Sequence, residues 1–469
     1  MVYGATPYMP APSKPPVDRE RMVTTNMAYR IGMVSLGCAK NQVDAEMMMA
    51  SLKKSGYLLA NDPAMADVAI VNTCGFIDAA KQESIDEILE LAKLKAEGKI
   101  KAIVVTGCMA ERYREEIRKE LPEVDAVVGI GADSGIAEVI QQVLDGKKTE
   151  TFPEKTLLPL EGERALSTPS YFAYLKIAEG CDNRCAYCAI PFIRGAYRSR
   201  TMENILEEAR GLARNGVKEL VLIAQDTTKY GRDLTGKLML PQLLRELCKI
   251  EGIEWIRILY CYPDAITDEL IDTIASEPKI VKYIDLPLQH CSARLLKAMR
   301  RSGSREELTA LIQKMRARIP NLILRTTLIT GFPGETEEDF TELAEFVREI
   351  KFERLGCFAY SREEGTVAAE MPDQIDDEVK QHRMELIMEE QMGLMQEWGE
   401  SFTGKTQRIL VEGFDRYAEC WFGRSYADAP DIDGKVFFTV SGKKPKPGDF
   451  IQVKITDCVD GDLTGEQLN

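Results

Sequence analysis

Histidine is nearly absent: His290 and His382 are the only two in 469 residues. Mixed Cys/His zinc sites therefore have almost no ligands to draw on. Net positive charge is absent too. The balance is −15, which argues against a general nucleic-acid binder and suits a basic protein partner. No uninterrupted apolar run approaches the ~20 residues of a membrane span, so no membrane association is expected. Residues 1–27 carry proline and charge but no apolar h-region; they read as a disordered lead-in rather than a signal peptide. The expected compartment is the cytoplasm.

What the chain has instead is cysteine, twelve in all. Outside secreted proteins, that many thiols point to metal or redox chemistry more than to disulfides. Cys248, Cys261, Cys357, Cys420 and Cys458 stand singly in apolar or strand-like runs and read as small buried hydrophobes. Cys181, Cys185 and Cys188 are different: they form C-x3-C-x2-C within EGCDNRCAYCAIPFIRG. A structural zinc asks for four closed ligands. Three thiolates on one loop suit a 4Fe-4S cluster with one iron open to a small molecule, a reading preferred to zinc or a chance grouping. Tyr187 and Ile190 are placed to shield such a cluster. Arg194, Arg198 and Arg200 either offset its charge or form a solvated face.

Strand-like runs alternate with amphipathic helical stretches over residues 28–145, as in GMVSLG, VAIVNT and AIVVTG. Near-continuous apolar strands between helices predict a parallel sheet covered on both faces. Residues 146–166 are polar, with scattered Pro and Gly, and read as a linker. Alternation resumes over 167–398 with six strand–helix units, predicting a partial (β/α)6 barrel closed by a long helix near 375–398. Residues 400–466 switch to short alternating strands with Gly, Pro and Asp turns, predicting a small antiparallel β-barrel. The fold class is α/β with a β-barrel appended.

Cys38, Cys74 and Cys108 each follow one of the first domain's strands, about one strand–helix unit apart. All three then lie beyond strand C-termini on one sheet edge, where open parallel sheets bind ligands. Three convergent thiols again suit a cluster with an open iron; the alternative is three unrelated core cysteines. In the barrel region, LIAQDTTKYG sets Gln225 and Asp226 at a strand end, with Asp226 either a ligand group or a turn cap. LITGFPGETEED sets Gly331 and Gly334 in a strand-to-helix turn, which either admits close ligand approach or is an ordinary capped turn. Gln289 and His290 mark a third strand end, and His290 reads first as a satisfied loop residue.

The Cys181/Cys185/Cys188 triplet resembles the radical S-adenosylmethionine (SAM) signature. With VSLGCAKNQVD, NTCGFI, IAQDTTKYG, LPLQHCS and RSYADAPDIDG, residues 28–466 resemble the methylthiotransferase family, in its ribosomal-protein branch. Ala39 departs from the proline common at that position. The resemblance implies an N-terminal cluster domain, a radical SAM barrel and a C-terminal, OB-like TRAM barrel. It implies two 4Fe-4S clusters, on Cys38/Cys74/Cys108 and on Cys181/Cys185/Cys188, with SAM bound at the second. One SAM would yield a 5′-deoxyadenosyl radical and another a methyl group. The implied substrate is an aspartate β-carbon of ribosomal protein S-twelve, free or in the small ribosomal subunit. An electron donor such as flavodoxin or ferredoxin is expected.

Residues 400–469 hold twelve acidic and nine basic side chains. A barrel gripping tRNA phosphates should be basic, so a basic ribosomal protein is the expected partner and tRNA is disfavoured. The acidic SYADAPDID stretch either steers that partner or is a solvated loop. Two rival readings are a tRNA methylthiotransferase and a non-catalytic two-cluster electron carrier.

Overall fold

The computed structural model describes residues 29–132, 135–155 and 160–468; the expected disordered lead-in lies outside them. The first domain is a six-stranded, wholly parallel sheet in the order β2-β1-β3-β4-β5-β6. Its strands are β1 (Arg30–Ser35), β2 (Leu58–Ala60), β3 (Val68–Thr73), β4 (Ala102–Gly107), β5 (Ala126–Val128) and β6 (Thr149–Thr151). Every residue of β3 and β4 is buried, because helices cover both faces. β6 falls in the stretch expected to be a linker. A TET edge strand with one neighbour needs no apolar run, so periodicity does not reveal it. The end of that stretch is bolted down as well: Arg164 pairs with Glu46 of the first domain and Glu208 of the second, each at 2.6 Å.

The second domain is a parallel sheet in the order β7-β10-β11-β12-β13-β14, open between its two edges. Its strands are β7 (Phe172–Lys176), β10 (Glu219–Ile223), β11 (Trp255–Ile258), β12 (Ile280–Asp285), β13 (Ile323–Thr330) and β14 (Arg354–Ala359). Sequence neighbours are spatial neighbours throughout, so each connecting helix crosses the same face and all strand C-termini share one rim. A short antiparallel ribbon, β8 (Ala178–Glu179) with β9 (Arg198–Ser199), clasps the base of the Cys181–Cys188 loop. Helix Asp377–Glu400 closes the domain against β14.

The third domain is a closed barrel of β15 (Thr406–Asp415), β16 (Cys420–Arg424), β17 (Val436–Thr439), β18 (Phe450–Val459) and β19 (Asp462–Gln467), ordered β15-β16-β17-β19-β18. β19 escapes sequence reading because only Leu463 marks its apolar side, and it closes the barrel by pairing parallel to β17 rather than antiparallel. On its other edge Gly465 admits the close approach of β18: a Cβ there would lie 2.5 Å from the Lys454 carbonyl oxygen.

This barrel seats its 425–434 loop against one face of the second sheet. Ala427 and Ala429 are buried among Tyr174, Val221, Trp255 and Tyr283. Two of the three acidic side chains there, Asp428 and Asp433, are spent internally, whereas Asp431 is exposed and accepts from Tyr174 Oη at 3.3 Å; the expected steering or solvated face is therefore reduced to one carboxylate. Asp428 pairs with Arg354 at 2.5 Å, and Asp433 accepts from Tyr283 Oη at 2.7 Å and stands 3.8 Å from Arg325. The loop is a fastener, because desolvated carboxylates facing buried cations have no charge left for a partner. Buried Glu219 bridges Arg257 at 2.8 Å and Arg424 at 2.7 Å across the same junction.

Candidate functional site

The topology brings Cys38, Cys74 and Cys108 together. β1, β3 and β4 are adjacent, and each strand ends one or a few residues before its cysteine. A Cβ on Gly37 would lie 2.9 Å from Cys74 Sγ, and one on Gly75 would lie 3.0 Å from the Cys108 carbonyl carbon. Asn41, buried in the first turn of its helix, ties the loops together by donating to the carbonyls of Leu36 at 2.7 Å, Thr73 at 3.2 Å and Asn72 at 3.3 Å.

Cys38 is the N-cap of helix Ala39–Lys54. Burial raises its thiol, but Lys40, Arg194 and the first-turn amides outweigh burial and hold it below the ordinary value. Burial pushes Cys108 up to about 12 and raises Cys74 as well. The surroundings thus favour the thiolate of Cys38 and disfavour those of Cys74 and Cys108.

Cys181, Cys185 and Cys188 lie on the loop between β8 and β9. Tyr262 Oη stands 3.5 Å from Cys185 Sγ, and Arg301 Nη1 stands 3.8 Å from it and 3.4 Å from Tyr187 Oη. Arg301 also lies 4.1 Å from the Tyr262 ring centre. Burial raises Cys181 to about 11 and Cys188 to about 12.

A buried seam of charge separates the trios. Arg194 Nη1 donates to both Glu179 oxygens at 3.1 Å, while Nη2 lies 3.7 Å from Cys108 Sγ. Lys176 joins Asp44 at 2.6 Å to Glu179 at 3.0 Å. Gln225 donates to Glu179 at 3.2 Å, and its buried Oε1 accepts no hydrogen bond. Lys40 lies 3.3 Å from the Tyr260 ring centre and donates to the Ala224 carbonyl at 3.3 Å. The two cysteine segments are therefore linked through one shared network of buried polar side chains.

The other expected residues divide. Asp226 is fully buried; Oδ1 caps the turn Thr227–Lys229, and Oδ2 accepts from Asn183 of the cysteine loop at 3.0 Å. The missing Cβ of Gly331 makes room for Lys380, and the Gly334 carbonyl accepts from Arg294 at 2.8 Å. His290 is buried and accepts from Ser292 N at 3.0 Å. Arg200 is spent on Glu208 at 2.5 Å, whereas Arg194 turns from its own motif toward the opposite trio. Sequence reading misses Arg301, Tyr262 and Glu363. The last binds Arg112 at 2.6 Å and Lys81 at 3.1 Å, and Arg112 in turn donates to the Gly75 carbonyl at 3.1 Å, tying the loop after β14 to the residue that follows Cys74. None sits in a cysteine motif, so spacing does not flag them.

All twelve cysteines are free thiols. Among the described residues, no three His, Cys, Asp or Glu side chains are gathered around a point for a single metal ion. A lone tetrahedral zinc draws its thiolates in along bonds of about 2.3 Å, whereas a 4Fe-4S cube takes one thiolate per iron and spreads them. In number and chemistry the donor sets suit such cubes: three thiols each, with Arg194 beside one set and Arg301 beside the other.

Comparison with known proteins identifies three matches along the chain: Uncharacterized protein family UPF0004 over residues 30–129, the Radical SAM superfamily over 175–347 and the TRAM domain over 403–468. The chain is 51% identical over 437 residues to the ribosomal protein uS12 methylthiotransferase RimO of Thermoanaerobacter sp. (strain X514), covering 93% of this chain and 99% of that protein. It is 53% identical to the protein of that name from Caldanaerobacter subterraneus subsp. tengcongensis, with the same coverage. Among solved structures, the radical SAM methyltransferase TsrM from Kitasatospora setae shares the fold, with a TM-score of 0.53 at 14% identity over 70% of this chain and 72% of that one.

Proposed function

This chain belongs to the ribosomal protein uS12 methylthiotransferase family, and from that premise we propose that its two cysteine trios hold two 4Fe-4S clusters serving one substrate. It is a radical SAM enzyme that methylthiolates uS12. In our reading, Cys181, Cys185 and Cys188 hold the cluster that binds SAM, and Cys38, Cys74 and Cys108 hold the second. The target is an aspartate β-carbon, where SCH3 replaces H. When bound, the clusters and SAM supply the electron, the radical, the sulfur and the methyl group, none of which side chains can provide.

The residues' own work is placement and exclusion of water. Asn41 holds three strand-end loops in register, and the β8–β9 ribbon fixes the other loop. Tyr262 and Arg301 cover Cys185. Gln225 is anchored through Nε2, and its unpartnered Oε1 would be free to accept from a donor group of SAM. Asp226 steadies the cluster loop through Asn183. Gly331 and Gly334 shape the rim beyond β13. We place the enzyme in the cytoplasm, reduced by a flavodoxin or ferredoxin; among the described residues no helix is long and apolar enough to cross a membrane.

The observation that carries this reading is the seam. Arg194 reaches Cys108 of one trio and Glu179, two residues before Cys181 of the other. Expression in a host lacking its own enzyme, followed by mass spectrometry of uS12 and tRNA, tests the substrate. One SCH3-for-H exchange on a uS12 aspartate is expected; the group on tRNA instead would overturn it. Iron and sulfide analysis of anaerobically prepared chain tests the cluster number.

A further inference from the structure

We infer that Arg194 is a positioning residue for the cluster on Cys38, Cys74 and Cys108, holding an N–H against the Cys108 sulfur and raising that cluster's reduction potential. This rests on the two-cluster reading above. Arg194 belongs to the loop trio's own segment, at the end of helix Ile190–Arg194, yet its guanidinium crosses the domain boundary. It is 1% exposed. Nη2 lies 3.7 Å from Cys108 Sγ, 3.4 Å from Asn41 Oδ1 and 2.9 Å from Asp44 Oδ2. Nη1 is forked onto both Glu179 oxygens at 3.1 Å.

Two features separate this from a simple brace between domains. First, the charge is balanced before any cluster arrives: Arg194 and Lys176 face Asp44 and Glu179. A neutral ring of buried ions is a costly brace, since apolar residues of equal volume often hold as well. Second, Nη1 is held by Glu179 and Nη2 donates to Asn41 Oδ1, so the N–H left over on Nη2 is the one that meets Cys108. A planar fork held at two points aims its remaining N–H with little freedom. Hydrogen bonds to cluster sulfurs and nearby positive charge raise a cluster's potential. The same side chain reaches Glu179, which accepts from Gly180 N at 3.2 Å beside Cys181. It therefore registers one cluster loop against the other.

The test uses full-length chain carrying C181A, C185A and C188A, so that only the second cluster is present. Its midpoint potential and electron paramagnetic resonance spectrum are measured with Arg194 intact, as Arg194→Gln and as Arg194→Lys. The glutamine variant is expected to show a lower potential and an altered spectrum. Lysine, which keeps the charge but not the fork, should recover part of the potential and little of the spectrum. In the otherwise native chain, uS12 modification should fall by about tenfold or more with glutamine. Unchanged potential and spectrum with a lowered melting temperature would show a brace only and overturn the inference. If glutamine prevents folding, the lysine variant decides alone: an unchanged spectrum overturns the inference and an altered one upholds it. A native chain that loads a single cluster would instead defeat the two-cluster reading, whatever Arg194 does.

Discussion

The two cysteine trios solve the same ligand problem in opposite ways. Cys181, Cys185 and Cys188 lie within eight residues on one loop, and their spacing survives any change in the sheet behind them. Cys38, Cys74 and Cys108 span some seventy residues and meet only because β1, β3 and β4 are adjacent and parallel. The first is a local site bordered by Tyr262 and Arg301. The second is a sheet-edge site tied by Asn41 and touched by Arg194. A loop site is robust to packing but exposed to its own flexibility; a sheet-edge site takes its rigidity from the fold and fails with it.

The sharpest break in the comparison is Cys185→Ala. Production of 5′-deoxyadenosine from SAM is expected to fall to background, with about half the iron retained; continued production would remove this trio from SAM chemistry. Next comes Cys108→Ala, which should abolish uS12 methylthiolation while SAM cleavage persists. Mass spectrometry of uS12 and chromatography of the nucleoside read the two steps apart.

Asn41→Ala should act on only one site. Losing three buried hydrogen bonds is expected to destabilise the first domain by about 1–3 kcal/mol and lower loading of its cluster, leaving the loop cluster in place. Denaturant melts and cluster spectra of each site alone measure it. Equal loss at both sites would dissolve the distinction.

The smallest expected effect is at a capping box whose hydrogen bonds involve none of the six cysteines. Burial tends to raise the Asp339 carboxyl, but hydrogen bonds from Thr336, Ser292 and Arg294 outweigh it and hold it at about 2, below its ordinary 3.8. A depressed carboxyl contributes stability above its ordinary value and loses it as pH falls from about 4 through about 2. Asp339→Asn should therefore cost about 1 kcal/mol at neutral pH, after allowance for solvent screening, and flatten the melting curve's response over that window. Neither cluster spectrum should move.

How much was legible follows the same division. The loop trio is visible as a motif, and the sheet-edge trio is visible through strand–helix spacing. The strands whose residues are buried on both faces, such as VAIVNT, declare themselves. β6 and β19 do not, since TET and DLTGEQ take their partners from neighbours rather than from an apolar pattern of their own. Arg301 and Glu363 were invisible because each acts on a cysteine loop far away in sequence. SYADAPDID misleads for the same reason: charge is read from composition, whereas its availability depends on Arg354, Arg325 and Tyr283.

The residue order alone therefore settled which thiols exist, how the strands alternate with helices and which family's motifs are present, because these are properties of spacing along the chain. The folded molecule decided which groups reach across. Arg194 could have served its own loop alone and reaches Cys108 as well, and the acidic loop could have met a partner and instead locks the third domain. Both outcomes turn on desolvation. A buried charge takes whatever counter-charge the packing puts within a few ångströms, and only three-dimensional contact determines which one that is.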